Sequence, residues 1–292
     1  MILLDGGIGS EMDLRSPKKM NDDPTWCGCH HISNPKLLQK VYEDFVVSGS
    51  QMISANTYSV LQYLLQNTDG EIQASVTKAV QITEQVRKLH PHIVIAGCLS
   101  AHGCHKHSND EIRKSLVLLA SCLAKSSVDC ILVEMVQNKE IGRIMIEAAD
   151  TANLPLMIGF SLVRDGECLK LKTKDVQFSP DVIRYILSDA KNVKCVGVMH
   201  SSIDVISEAL SVIETVWNGD TIAYPDCGTF ENNIWTTDAT ESNIEKIAQL
   251  LSDCKTKHPT LQVVGGCCGL GPSFIKRLRT IFEPYLNSSK EA

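Results

Sequence analysis

No apolar run in the 292 residues approaches the roughly 18 needed to span a bilayer, so the sequence offers no membrane helix. Charge of one sign is also missing. With 28 basic against 34 acidic residues, a net charge of −6 and the two signs interspersed, the chain lacks the basic footprint that binding nucleic acid requires. Low-complexity tracts and long linkers are absent as well, which argues against several loosely tethered modules. Cysteine is plentiful at twelve, yet the spacing lacks the short, loop-rich framework of a disulfide-stapled domain, and Cys122, Cys130 and Cys195 sit inside apolar runs. Reduced thiols in a cytoplasmic protein are the expectation, with small molecules as partners and a monomer or small homo-oligomer as the assembly.

What is present is a regular alternation. Short β-rich apolar runs fall at 2–4, 51–55, 93–97, 130–133, 156–160, 194–198, 221–224 and 261–264. Between them lie stretches with apolar residues at helical spacing, at 36–47, 71–88, 110–125, 139–149, 180–190, 205–216 and 242–254, with a last one at 272–282. Each parallel crossover needs a connecting helix, and eight such units in this length predict an α/β fold, a TIM-type (β/α)8 barrel in a single domain over 1–286, with 287–292 as a short tail. A doubly wound open sheet is the other architecture compatible with the pattern.

Barrel active sites form on the loops that follow the C-terminal ends of the strands. Those ends carry Asp5-Gly6-Gly7, Asn56-Thr57-Tyr58, Glu134, His200, Tyr224-Pro225-Asp226 and Cys267-Cys268. The last pair stands in Gly265-Gly266-Cys267-Cys268-Gly269. Side chains alternate faces along a strand, so adjacent thiols converge on one metal ion only where the backbone turns, and glycine permits such turns. Two thiolates and a third ligand would hold zinc with one position open to substrate; the same pair could also pack as small hydrophobes. Asp5, Asp226 and Glu134 could equally cap turns or helices.

Taken together, Leu3-Leu4-Asp5-Gly6-Gly7 with Glu11, Trp26 with Asn34-Pro35, Ser54-Ala55-Asn56-Thr57-Tyr58, Leu132-Val133-Glu134, Tyr224-Pro225-Asp226 and the glycine-flanked cysteine pair with Gly271-Pro272 resemble the zinc-dependent homocysteine S-methyltransferases, nearly end to end. That family includes betaine–homocysteine methyltransferase and the homocysteine module of methionine synthase. The resemblance implies the barrel fold and zinc bound by Cys267 and Cys268. It further implies that Glu134 receives the amino group of homocysteine and that the Asp5-Gly6 turn helps hold the amino acid. Asn56, Thr57 and Trp26 complete the expected substrate-binding set, Trp26 as a possible cation–π wall for the methyl donor. A zinc-bound thiol is held as thiolate, which makes the nucleophile, and a cationic donor such as S-methylmethionine brings its own leaving group.

The sequence departs from the family pattern where Gly-Val-Asn-Cys usually supplies a third thiolate, because Gly197-Val198-Met199-His200 stands there. Neutral imidazole is a good zinc ligand, and the expected set becomes His200, Cys267 and Cys268. Met135 after the glutamate, Cys227 and Thr229 in the usual Tyr-Pro-Asn-Ser-Gly-Glu segment, and a shortened stretch between the third and fourth strands are further departures. They leave room for a different thiol or selenol as acceptor, or for a metabolite-binding barrel without turnover. Two other clusters, Cys27, Cys29, His30 and His31 on the first loop and His102, Cys104, His105 and His107 after the third strand, could bind metal, the second as a replacement third ligand on the active-site face, but they lack paired ligand spacing and read first as polar loop residues.

Overall fold

In the computed structural model, which describes residues 1–16, 25–173, 176–231 and 234–286, the chain runs through eleven strands: β1 (Ile2–Leu3), β2 (Met52–Ala55), β3 (Val94–Leu99), β4 (Cys130–Val136), β5 (Leu156–Asp165), β6 (Cys168–Leu171), β7 (Val193–Met199), β8 (Asp220–Tyr224), β9 (Gly228–Glu231), β10 (Ile234–Thr237) and β11 (Leu261–Val264). Eight of them lie parallel in the order β1-β11-β8-β7-β5-β4-β3-β2. These are the eight runs expected from the sequence, in a nearly closed α/β barrel of the TIM type. The open-sheet alternative is set aside by contacts between the two ends of that order. Gln51 closes the seam between β1 and β2: its backbone N–H donates to the Leu3 carbonyl at 2.8 Å and its side-chain oxygen accepts from the Leu3 N–H at 3.1 Å.

Helices between the strands pack on the outside, and their ends follow from local chemistry. Thr68 and Ser108 form reciprocal capping boxes with Glu71 and Glu111 at the starts of Asp69–Leu89 and Asn109–Ala124. Pro35 and Pro180 occupy first-turn positions in Pro35–Ser48 and Pro180–Leu187, where a missing N–H costs nothing. The strand period of two splits the buried apolar residues into two layers. One lies between strands and helices; the other fills the barrel and is rich in sulfur, with Met52, Cys98, Cys130, Met157, Cys195 and Met199. All twelve cysteines are free, and no helix among the described residues is long and apolar enough to cross a membrane.

Two antiparallel hairpins lie outside the eightfold pattern. β5 runs past the barrel rim and folds back on β6, with Leu162 opposite Leu171, and β9 pairs with β10. The helix Ile8–Arg15 after β1 and the short helices His30–Ser33 and Gln62–Leu65 also lie in stretches without helical periodicity in the sequence. These additions cluster on the loops at the C-terminal ends of the strands. The tail 287–292 lies outside the described residues, as does the side chain of Thr229.

Candidate metal centre

The ligating atoms of His200, Cys267 and Cys268 lie within 4.8 Å of one another, and theirs is the only cluster of metal-ligating side chains with this spacing among the described residues. Cys267 Sγ is 3.9 Å from Cys268 Sγ and 3.8 Å from His200 Nδ1. Tetrahedral ligands at zinc distances would be separated by about 3.8 Å for two sulfurs and about 3.6 Å for sulfur and nitrogen. The three side chains therefore fit a metal ion of that kind, with one position left over. Of the two thiols, Cys268 is held below the usual thiol range because it accepts a hydrogen bond from Cys267 and faces His200 and Lys172. Cys267, donating that bond and buried, is pushed up. A metal ion held there would take both thiols as thiolates.

The turn that aims the thiols is gripped from both sides. The Cys267 N–H donates to the Pro225 carbonyl at 2.8 Å, the Cys227 N–H to the Cys268 carbonyl at 2.8 Å, and the Gly266 N–H to the Asp5 carbonyl at 3.0 Å. Gly269 has φ +81°, and a Cβ there would stand 2.4 Å from the Cys227 carbonyl oxygen, so the turn needs glycine at that point. His200, immediately after β7, also adopts a left-handed backbone with φ 44°, and Met135, near the end of β4, has φ 58°. Such geometry costs a non-glycine residue roughly 1–2 kcal/mol. Both strained residues stand where the barrel opens.

Near the metal ligands stand two carboxyls, Asp5 and Glu134, with no cation among the groups that shift them. Asp5 is buried and accepts hydrogen bonds from the Ser54 N–H at 2.7 Å and its hydroxyl at 2.9 Å; burial pushes it from 3.8 to about 7. Glu134, half-buried at the end of β4, is pushed from 4.5 to about 8 by burial, against a hydrogen bond from the Cys98 thiol and with the Asp5 charge adding to the rise. Both carboxyls resist ionisation because water is scarce around them, and for Glu134 the Asp5 charge adds to the cost. An ammonium group placed between them would remove both costs.

The other expected residues come to the same rim with their polar atoms engaged in holding it. The Asn56 amide donates to the Cys27 carbonyl at 2.9 Å, and the Thr57 hydroxyl donates to the Cys98 carbonyl at 2.8 Å while accepting from the Cys98 N–H at 3.0 Å. Gly6 lets the chain pass the loop after β11, since a Cβ would stand 2.1 Å from the Leu270 carbonyl oxygen. The Trp26 carbonyl accepts from the Tyr58 hydroxyl at 2.6 Å, and its indole nitrogen would be 2.8 Å from a Cβ at Gly9. Neither of the two further His/Cys clusters forms a ligand set among the described residues. His31 is buried against the Ser75 hydroxyl at 2.7 Å, with burial lowering it to about 4. Tyr63 stacks on His107 and donates to the His102 carbonyl.

Three contributors escaped sequence reasoning. Cys98 faces the barrel interior beside Glu134, a position that the strand period could have flagged. Lys172, just past β6, carries no motif of its own, and Ser54, beneath Asp5, stands in a quoted motif that did not reveal its hydrogen bonds to that carboxylate. A cavity of about 230 Å³ borders this region, with Met135, His105, His107, Asn138 and Thr173 in its lining.

Comparison with known proteins agrees with this picture. The homocysteine S-methyltransferase family profile matches residues 2–282. Homocysteine S-methyltransferase 3 of Zea mays is 21% identical over 315 aligned positions, covering 95% of this chain and 88% of that one. Selenocysteine Se-methyltransferase of Brassica oleracea var. italica is 23% identical over 334, covering 98% and 92%. The crystal structure of the homocysteine methyltransferase MmuM from Escherichia coli, in its metallated form, superposes with a TM-score of 0.78 at 18% identity and covers 96% of each chain, a likeness that speaks to the fold. With a family profile spanning nearly its whole length over a barrel of the same architecture, this chain belongs to the homocysteine S-methyltransferase family.

Proposed function

We propose that the protein is a zinc-dependent methyltransferase that moves a methyl group from a cationic donor, such as S-methylmethionine, to the thiol of homocysteine, giving methionine. The observation that carries this reading is the pairing of two complementary half-sites in one barrel mouth: ligand atoms mutually within 4.8 Å, and two poorly solvated carboxyls, Asp5 and Glu134, with no cation among the groups that shift them. Zinc, held by His200, Cys267 and Cys268, would keep the acceptor as thiolate at neutral pH. Glu134 and Asp5 receive the acceptor's ammonium group, and the Asp5-Gly6 turn fixes the floor beneath it. Asn56 and Thr57 serve the substrate indirectly, by holding the loops that shape its pocket. Trp26 lies on the same rim and is assigned to the donor side, where its ring can favour a cation. Transfer then depends on alignment and on exclusion of water rather than on an acid–base pair, because the donor already carries its leaving group.

The test combines metal analysis of the purified protein with methylation assays. Near one zinc per chain, lost in a Cys267→Ser/Cys268→Ser variant, together with methionine formed from homocysteine and S-methylmethionine, is the expected result. Stoichiometric zinc with turnover of selenocysteine alone would reassign the acceptor, a reading that the selenocysteine Se-methyltransferase relative motivates. Protein that binds no metal and transfers no methyl group would overturn the assignment.

A further inference from the structure

His200, which stands where the family pattern has cysteine, has a charged neighbour: Asp226 Oδ2 lies 3.5 Å from His200 Nδ1. The Asp226 side chain is only 6% exposed, and Lys172 Nζ stands 3.6 Å from the same oxygen. Lys172 also donates to the His200 carbonyl at 3.0 Å. The contacts form a closed ring: ammonium to carboxylate, carboxylate to imidazole, and the imidazole's own backbone carbonyl back to the ammonium.

We propose that Lys172 and Asp226 are positioning residues that adapt this centre to a histidine ligand, an inference that rests on the metal-centre reading above. A thiol offers one ligating atom on a short side chain, whereas imidazole has two nitrogens and a ring whose tilt must be set. Asp226 Oδ2 faces Nδ1, the same nitrogen that lies 3.8 Å from Cys267 Sγ, so in the metal-free protein the carboxylate holds that edge of the ring toward the sulfurs. Burying that carboxylate beside two thiolates demands a positive charge, and Lys172 supplies one. The same ammonium pins the carbonyl of a residue in a left-handed conformation, which would otherwise relax and swing the ring away from the sulfurs. The β5–β6 hairpin is the element that carries Lys172 to this place.

The experiment measures zinc affinity by chelator competition, and the visible spectrum of the cobalt(II)-loaded protein, for Lys172→Met, Lys172→Arg and Asp226→Asn. Each is made both in the natural sequence and with His200→Cys. With histidine present, Lys172→Met and Asp226→Asn should weaken zinc by about 10- to 100-fold and alter the tetrahedral cobalt bands, while Lys172→Arg keeps most of the affinity. With cysteine at 200, the same two substitutions should leave zinc affinity unchanged. Equal losses in both backgrounds would make the pair general scaffolding and overturn the proposal, as would no loss in either. Natural protein that takes up neither zinc nor cobalt overturns the metal-centre reading itself, and this inference falls with it.

Discussion

In the proposed reaction, Glu134 is the residue that receives the acceptor's ammonium group. Its carboxyl is costly to ionise in the free protein, so a bound ammonium gains both an ion pair and relief from that cost. Glu134→Gln keeps the shape and removes the charge. The variant should retain stoichiometric zinc while acceptor affinity drops by about 1.5–3 kcal/mol, the worth of a charged hydrogen bond. Calorimetric titration with methionine, which has the ammonium group but no thiol, isolates this contact from the metal. Unchanged methionine binding would remove Glu134 from the site. Cys98, whose thiol hydrogen-bonds the same carboxylate, has a supporting part that the sequence concealed among eleven other cysteines.

The turn after β11 and the seam between β1 and β2 do different work. Gly269→Ala places a methyl group against the Cys227 carbonyl in a left-handed conformation. Overpacking of this kind costs about 1–3 kcal/mol, and because the displaced backbone carries both thiols, zinc affinity should fall together with thermal stability. A variant with a lower melting temperature but native zinc affinity would show that the thiols are aimed by something other than this turn. At the seam, β1 is only two residues long, and Gln51 satisfies the Leu3 N–H and carbonyl. Gln51→Leu leaves the Leu3 N–H without its side-chain acceptor. It should lower stability by about 1–3 kcal/mol, the cost of an unsatisfied buried donor. A urea midpoint that falls at constant slope is the expected signature, with zinc affinity intact.

For the molecule as a whole, the two raised carboxyls tie stability to pH. Between the ordinary values of 3.8 and 4.5 and the folded values of about 7 and about 8, the native state binds more protons than the unfolded chain. Stability therefore declines as pH rises through that window and is largest below it. The melting temperature of ligand-free protein should carry a downward contribution from about pH 5 to about pH 8, smaller in Glu134→Gln. Saturating methionine should flatten the curve, because the ammonium favours the ionised carboxyls. If the slope in Glu134→Gln matches that of the natural protein, ionisation of Glu134 is not coupled to folding.

Much of this was legible in the sequence, for physical reasons. A parallel strand cannot return without a crossover, so eight apolar runs separated by helical periods specified the barrel and the face on which its loops gather. Adjacent cysteines between glycines marked a turn, and Cys267 and Cys268 meet His200 in the fold. The hairpins escaped because β6, β9 and β10 are only four residues each, and the helix Ile8–Arg15 has too weak an apolar stripe to announce itself. Strand periodicity assigns a residue to a face; it does not say which distant residue stands beside it. Closure of the barrel decided that Asp5, just past the first strand, shares a charge environment with Glu134 on the fourth. It also decided that Asn56 and Thr57 spend their polar atoms on neighbouring loops, and that Lys172 reaches the carbonyl of His200. Those relations depend on side-chain reach across strand ends, which sequence order alone leaves open.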